Sequence, residues 1–286
     1  MSKPAQRQVC RNGKPAEVHQ LRWSADSTKL VCGQDTMIRV YDAQSGEQLQ
    51  VLAGHTGLVQ NVAWNPNTDQ LASVGLDNSV KTWSLASQNQ TQSIPEPESY
   101  YLRWSHSGKK LASCQPFEGN VWVFDPETQQ RQMIDSDAQR VEQPQWSPDD
   151  RRLAYGGQGF LRVRDFDMRG ATTDDATEGT TTKSTTTKDI TTDFESFHER
   201  HVAGQDWSPD GKLLACRTMN TEALIICDSG SGEWKLQQDD IPMRSLQWHQ
   251  IRCSWRLEVR RDISASSIRT GVSSGNRNGK TARSPR

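Results

Sequence analysis

A tryptophan recurs along the chain at an almost constant interval, and this repetition limits the folds open to the chain more than any other feature. Five intervals separate the six recurring tryptophans, and they measure 41, 40, 42, 61 and 41 residues. Self-similarity at about 40 to 45 residues is typical of chains in which each repeat is one supersecondary unit packed against its neighbours. The long interval therefore predicts one repeat with an insertion of about 20 residues. The six anchor tryptophans are Trp23, Trp64, Trp104, Trp146, Trp207 and Trp248.

Within a repeat, polar and apolar residues alternate with the period of two that is typical of a half-buried β-strand. A turn rich in Ser, Pro, Asp and Gly follows most of the anchor tryptophans, as in residues 208–211, and these residue types favour tight turns. A short apolar strand, a third strand ending in Asp or Ser, and a polar fourth strand complete the repeat. Four short strands repeated in this way predict an all-β fold, a β-propeller of four-stranded blades. We expect five complete repeats and a sixth that is degenerate or truncated.

The second repeat carries motifs that resemble those of a known family. Gly54-His55 is the one clean Gly-His pair, and Trp83 stands where the Trp of a Trp-Asp dipeptide would stand, although Ser84 follows it. In these residues the chain resembles the WD-repeat β-propeller family, over about residues 5–248. The resemblance implies a buried, hydrogen-bonded tetrad that locks this blade internally. Its members would be His55, Ser73, Asp77 and Trp83.

The start of the chain carries a related signal. Residues 5–23 align without gaps on residues 46–64, so the chain begins at an outer fourth strand rather than at a first strand. In WD-repeat propellers this arrangement implies that the N-terminal strand completes the last blade and closes the ring. Closure matters because an open ring leaves strand edges that can pair with other chains.

Composition divides the chain into a WD-repeat-like propeller, residues 1–249, and a basic tail, residues 250–286. The tail contains nine Lys or Arg and only two acidic residues, and it begins one strand into the sixth repeat. That position favours a truncation or a reading-frame change, and hence a disordered or aberrant tail, over a basic tail that binds RNA or a partner. Trp255 and Leu257 leave open a degenerate strand within it.

The Thr-rich segment 171–193 explains the long tryptophan interval. Eleven of its 23 residues are Thr, and it follows the third strand of its repeat. Its polarity offers no apolar surface to bury, so we expect a disordered loop inserted between the third and fourth strands.

The sequence contains no convincing set of catalytic or metal-binding residues. The six cysteines include no Cys-x-x-Cys pair, which argues against a zinc ribbon. Residues 271–275 match the Gly-x-Ser-x-Gly pattern by chance, because no His follows His249 to complete a catalytic triad. We therefore expect a non-enzymatic protein without a metal or cofactor. Its cysteines are interpreted as small core residues in a reducing compartment, and the cytoplasm is the expected location.

Charge and hydropathy argue against some classes of binding partner. The formal net charge is −1, no apolar run approaches the length of a membrane span, and the N-terminus lacks the apolar segment of a signal peptide. Nucleic acid and membranes are therefore not expected as partners. The leading prediction is a non-catalytic scaffold that binds a protein or a peptide. The alternatives are the sensor part of a larger bacterial signalling protein, for example one associated with a kinase, and a periplasmic Tol-type propeller.

The residues six positions before the anchor tryptophans should lie where the first strands begin, at one rim of a propeller. Their side chains are chemically diverse and include both signs of charge, whereas the anchor positions are uniform. We interpret this diversity as a surface shaped for a partner, with undirected surface drift as the alternative. The predicted rim positions are Glu17, Leu58, Glu98, Arg140, His201 and Pro242.

Overall fold

All regular structure in the described part of the chain is β-structure. A computed structural model describes residues 10–11, 14–15, 18–87, 89–95, 99–138, 140–165, 201–219, 222–239, 245–251 and 254–260. Every regular element in these ranges is a β-strand, which confirms the predicted all-β class. The strands pair antiparallel, and successive sheets correspond to successive repeats of the sequence. The described ranges contain no helix that could cross a membrane.

Four of the sheets are complete four-stranded blades, preceded by a small hairpin of β1 (Cys10–Arg11) and β2 (Lys14–Pro15). Blade 1 consists of β3 (Val18–Trp23), β4 (Lys29–Gln34), β5 (Met37–Asp42) and β6 (Gln48–Ala53). Blade 2 consists of β7 (Val59–Trp64), β8 (Gln70–Gly75), β9 (Ser79–Ser84) and β10 (Asn89–Pro95). Blade 3 consists of β11 (Tyr101–Trp104), β12 (Leu111–Gln115), β13 (Asn120–Phe124) and β14 (Arg131–Asp135).

The later blades follow the same order. Blade 4 contains β15 (Gln145–Trp146), β16 (Arg152–Gly157) and β17 (Phe160–Asp165). Blade 5 is complete, with β18 (Val202–Trp207), β19 (Leu213–Thr218), β20 (Leu224–Asp228) and β21 (Trp234–Gln238). Blade 6 is a hairpin of β22 (Ser245–Ile251) and β23 (Ser254–Arg260). The four-stranded blade predicted from the repeat is therefore the unit of this fold.

The sixth repeat extends further than the sequence predicted. The expected boundary between residues 249 and 250 falls inside β22, and β22 pairs with β23 as far as Arg260, with Trp248 opposite Leu257. Alternating apolar residues at Trp255, Leu257 and Val259 supply the period-two pattern that this strand needs. The boundary of the repeat region therefore moves to beyond Arg260. The rest of the predicted tail, residues 261–286, lies outside the described residues.

The N-terminal segment pairs differently from the arrangement expected for ring closure. Cys10 pairs with Pro15 and Arg11 pairs with Lys14, so β1 and β2 form a hairpin with each other. Asn12-Gly13 lies between them in the sequence, and Asn-Gly is the dipeptide that most favours a two-residue hairpin connection. Among the described strands, none joins blade 1 to blade 6.

Among the described residues the hydrophobic core forms four clusters, and each lies between two consecutive blades. Blades 1 and 2 share a cluster in which Val31 and Ile38 pack with Val62 and Trp83. Equivalent clusters join blade 2 to blade 3, blade 3 to blade 4, and blade 4 to blade 5. First strands of consecutive blades contact one another, so they form the inner side of the array. Each repeat is thus stabilised by its neighbours, as expected for a repeat architecture.

The anchor tryptophans recur because their indole groups join the blades. In blades 3 to 6 the anchor indole N–H donates to the carbonyl of the residue that immediately precedes the previous anchor tryptophan. Trp23 has no preceding blade among the described residues, and it is 56 % exposed. The four bonds run from Trp104 to Ala63 (3.2 Å), Trp146 to Arg103 (3.1 Å), Trp207 to Gln145 (3.1 Å) and Trp248 to Asp206 (3.2 Å).

Three of the turns after the anchor tryptophans are closed by a Ser-x-Asp hydrogen bond. The hydroxyl of Ser208 donates to Asp210 Oδ1 at 2.6 Å and accepts the backbone N–H of Leu213 at 2.8 Å. The same pair of bonds recurs after Trp23 and after Trp146. The Ser and Asp of these turns are therefore structural residues.

The Thr-rich insertion lies outside the described residues, between Asp165 and His201. We expect excision of residues 172–192 to change the free energy of unfolding by less than about 1 kcal/mol, because loop-closure entropy depends only weakly on loop length. Urea denaturation of the shortened and full-length chains measures this change. A large loss of stability would show that the segment packs on the blades.

Candidate functional site

The four residues of the expected tetrad lie together in blade 2. His55 Nδ1 lies 2.9 Å from Asp77 Oδ2, and His55 Nε2 lies 2.7 Å from Ser73 Oγ. The indole N–H of Trp83 donates to the same serine oxygen at 2.8 Å. The Asp77 carboxylate also accepts the backbone N–H of Thr56 at 2.9 Å, which ties the turn before β7 to the turn after β8.

The hydrogen bonds determine the protonation of the tetrad. Because Ser73 Oγ accepts from Trp83, its own O–H donates to His55 Nε2, and Nδ1 carries the proton that faces Asp77. Burial lowers the pKa of His55, although the bond to Asp77 opposes this effect. Burial opposes ionisation of Asp77, but hydrogen bonds from Ser79, Thr56 and His55 outweigh it and lower the pKa of the carboxyl. The tetrad thus holds a neutral imidazole against a carboxylate, with its polar groups satisfied inside the blade.

In blade 4 a charged cluster, which was not predicted from the sequence, takes the place of the tetrad. Tyr155 and Arg164 occupy the strand positions of the tetrad's serine and tryptophan. The Tyr155 hydroxyl donates to Asp135 Oδ2 at 2.7 Å and accepts from Arg164 Nε at 3.0 Å. Arg162 Nη1 donates to the same Asp135 oxygen at 2.6 Å. Since Asp135 ends β14, this charged cluster binds blade 3 to blade 4.

The Asp135 carboxylate is the acidic centre of this cluster. Burial alone would raise the pKa of Asp135, but hydrogen bonds from Tyr155 and Arg162, together with the Arg162 charge, lower it to about 2. Its side chain is only 5 % exposed. A signal for the cluster exists in the sequence: Asp137 stands nine residues before its anchor tryptophan, where the second repeat has His55. That signal became readable only once the pairing of β16 with β17 was known.

Most of the recurring carboxylates have structural roles. Asp42, Asp125 and Asp228 each accept the backbone N–H groups of the residues two and three positions later, which closes the turn before the fourth strand. In the part of the chain that the structure describes, no three His, Cys, Asp or Glu side chains converge as metal ligands. These groups therefore shape turns rather than a reaction centre.

Three of the predicted rim positions are described, and they differ in exposure. Leu58 is 41 % exposed, and Arg140 is also exposed. His201 instead contacts Glu142, with Nε2 3.1 Å from Oε1, and only 13 % of its side chain is exposed. All three lie on the face where the first strands begin, which we call the start face. The other predicted rim positions, Glu17, Glu98 and Pro242, lie outside the described residues.

The start face also exposes apolar side chains that the sequence reasoning missed. Phe117, in the turn between β12 and β13, is 73 % exposed. Leu76 is 49 % exposed and Met219 is 54 % exposed, and both lie in the corresponding turns of blades 2 and 5. These turns lie on the start face because antiparallel strands return there after the first hairpin. Isolated exposed apolar residues are common on protein surfaces, so a group of them on one face is more informative than any single one.

Consecutive four-stranded blades, joined through their first strands, define a propeller-type repeat protein. Residues 7–42 and 46–84 match the family model described as "WD domain, G-beta repeat". These matches cover blade 1 and most of blade 2, including the whole tetrad. The first two blades therefore match the WD-repeat family, the family that the sequence motifs resemble.

Several named proteins are similar to part of the chain. Protein HIR1 of Cryptococcus neoformans is 32% identical over 120 residues, which are 39% of this chain and 14% of that protein. FIZZY-RELATED 3 of Arabidopsis thaliana is 26% identical over 152 residues, which are 50% of this chain and 31% of that protein. WD repeat-containing protein slp1 of Schizosaccharomyces pombe is 27% identical over 168 residues, 54% of this chain and 34% of that protein. The chain thus spans about a third or less of the length of these curated relatives.

These similarities bear on the type of function. The matched family and relatives support a protein-interaction role for the chain and point to protein partners in general. WD-repeat proteins of this kind are generally non-catalytic scaffolds. The relatives give no support to the two bacterial alternatives.

Proposed function

We propose that the chain is a non-catalytic scaffold that binds a protein or peptide partner through its start face. The observation that carries this proposal is a contiguous patch on blade 3 that combines an exposed aromatic ring with an exposed cation. Aromatic residues and Arg are the side chains most enriched at the energetic centres of protein interfaces. We call Tyr100, Phe117 and Arg140 the start-face patch.

Contacts within the start-face patch hold its members side by side. The rings of Tyr100 and Phe117 meet edge to face, with centroids 5.6 Å apart. The backbone N–H of Arg140 donates to the carbonyl of Pro116 at 2.9 Å, which places this arginine next to the Phe117 turn. The aromatic pair is therefore pre-oriented, so a partner that buries it loses less side-chain entropy than with a freely rotating ring.

The test is comparative capture with the full chain as bait. We expect Phe117→Ser and Arg140→Glu each to reduce the recovery of specific partners at least about fivefold, because loss of an interface anchor costs about 1 kcal/mol or more. Quantitative mass spectrometry of the captured proteins measures the recovery. Both substitutions change exposed side chains, so melting temperatures should remain within about 2 °C of the wild type.

Met133→Ser is the matched control, because Met133 is 49 % exposed but lies on the outer strand β14. Partners lost with the two patch variants and retained with Met133→Ser support the start face as the binding surface. Equal recovery with all variants contradicts it. If deletion of residues 261–286 alone abolishes recovery, the contact lies in that segment instead.

The cellular setting forms part of the same proposal. Cys32 and Cys227 are buried cysteines outside any disulfide, which fits a reducing compartment such as the cytoplasm. The absence of catalysis is likewise proposed from the structural roles of the recurring carboxylates. Fractionation of cells that express the tagged chain tests the location.

A further inference from the structure

A second candidate site lies on the face opposite the start face, where the first strands end at the anchor tryptophans. The residue just before the anchor tryptophan varies among the blades, and in blades 2 to 5 its backbone carbonyl accepts the indole N–H of the next anchor. Two of these residues are arginines, and the one between them in the sequence is alanine. In chain order the set is Arg22, Ala63, Arg103, Gln145, Asp206 and Gln247.

A cavity of about 260 Å³ lies beside the two arginines. Its wall includes Arg22, Ala63 and Arg103, together with anchor tryptophans of the first four blades. The small side chain of Ala63 leaves space between the side chains of Arg22 and Arg103. An arginine, glutamine or aspartate at position 63, as at the equivalent positions of the other blades, would fill this space. The cavity is therefore a consequence of which residue each repeat carries at this position.

The two guanidinium groups are poorly compensated by the protein. Arg22 Nη1 donates to its neighbour's backbone carbonyl, Leu21 O, at 3.1 Å. Within the described residues the Arg103 side chain makes no hydrogen bond or ion pair. Burial lowers the pKa of Arg103, the Arg22 charge lowers it further, and the Asp206 charge opposes both effects without outweighing them. Asp206 is itself engaged, since its Oδ2 accepts the backbone N–H of Trp248 at 3.1 Å.

We propose that this cavity binds a phosphate group, carried either by a small free anion or by a phosphorylated side chain. Two guanidinium groups offer forked N–H donors that match the oxygens of a phosphate, and their two charges match a dianion. Indole rings in the wall exclude water from one side, which strengthens the charge-assisted hydrogen bonds. His106 also lines the cavity, but its Nδ1 lies 3.2 Å from Asp150 Oδ1, so it belongs to a separate contact. The inference is independent of the proposed scaffold function, because it concerns the opposite face.

Isothermal titration of the full chain tests the proposal, with inorganic phosphate, pyrophosphate and a phosphoserine peptide as separate probes. Sodium chloride at the same ionic strength and the peptide with Glu in place of phosphoserine serve as comparisons. We expect saturable binding of at least one phosphate probe. Arg22→Gln and Arg103→Gln should each weaken it by about tenfold or more, because each removes charge-assisted hydrogen bonds. The preferred probe then identifies whether the phosphate is free or attached to a peptide.

Arg151→Gln is the matched control, because Arg151 is exposed on the same face but does not line the cavity. Binding lost in the two cavity variants and retained in Arg151→Gln supports the site. The site is contradicted if none of the three phosphate probes binds saturably, or if Arg22→Gln, Arg103→Gln and Arg151→Gln weaken binding equally. It is also contradicted if the only probe bound is the phosphoserine peptide and the Glu peptide binds with the same affinity. If Arg103→Gln fails to fold, the wild-type titration and Arg22→Gln still decide the outcome.

Discussion

Replacing Asp135 by alanine should lower the free energy of unfolding by about 3 kcal/mol at pH 7, because it leaves buried cationic and hydroxyl groups without their acceptor. Asp135 Oδ2 accepts from Tyr155 at 2.7 Å and from Arg162 at 2.6 Å, and these bonds connect blade 3 to blade 4. Urea denaturation followed by tryptophan fluorescence measures the loss.

Asp137→Ala provides the control in the same cluster. Asp137 also contacts Arg162, but its side chain is 76 % exposed, and exposed ion pairs contribute about 0–1 kcal/mol. Removal of Asp137 should therefore shift the urea midpoint much less than removal of Asp135. Equal shifts would mean that the buried contact with Tyr155 contributes nothing beyond a surface ion pair.

The Asp135 contribution should also depend on pH in a defined direction. The pKa of Asp135 is lowered to about 2 in the folded chain, whereas an aspartate in an unfolded chain titrates at about 3.9. Folding therefore favours the ionised form, and the stability it contributes is complete above the unfolded value and disappears as the pH falls through the folded value. We expect the difference between the wild type and Asp135→Ala to shrink between about pH 5 and pH 2. A difference that grows on acidification would contradict this account.

Replacing Asp77 by alanine should cost about 1–3 kcal/mol, because His55 and two further donors lose a buried acceptor. The side chain of His55 is fully buried, so water cannot take the place of the Asp77 carboxylate beside it. A satisfied polar network of this kind stiffens the structure around it, and blade 2 is the described blade that contains the complete tetrad. Thermal and urea unfolding of the variant measure the cost.

Asp69→Ala is the comparison within blade 2. The Asp69 side chain is 62 % exposed and forms an ion pair with Lys29, with the two charged atoms 3.3 Å apart. We expect its removal to change the free energy of unfolding by no more than about 0.5 kcal/mol. If Asp69→Ala and Asp77→Ala unfold at the same urea concentration, the tetrad does not stabilise the blade.

The repeat architecture could be predicted from the sequence because its determinants are local. A tryptophan at the end of each first strand, a Ser-x-Asp turn and alternating apolar residues recur within about 40 residues, and blade strands pair with their neighbours in the chain. The tetrad could be named in advance because the resemblance to the WD-repeat family implied it, and its four members lie within one repeat. The boundary drawn at residue 250 lies within β22, because the basic composition of the tail was given more weight than the alternation at Trp255 and Leu257, which left a degenerate strand open.

The candidate sites depended on the tertiary structure because they combine residues from different blades. His201 was predicted to face a partner, yet it contacts Glu142, which lies 59 residues earlier in the chain. Asp135 and Tyr155 meet only because blade 3 packs on blade 4, and no local pattern records that contact. Arg22 and Arg103 line one cavity although 81 residues separate them. Sequence periodicity determined the order and approximate positions of the blade strands, whereas packing between blades decided which side chains are exposed and which charges face one another.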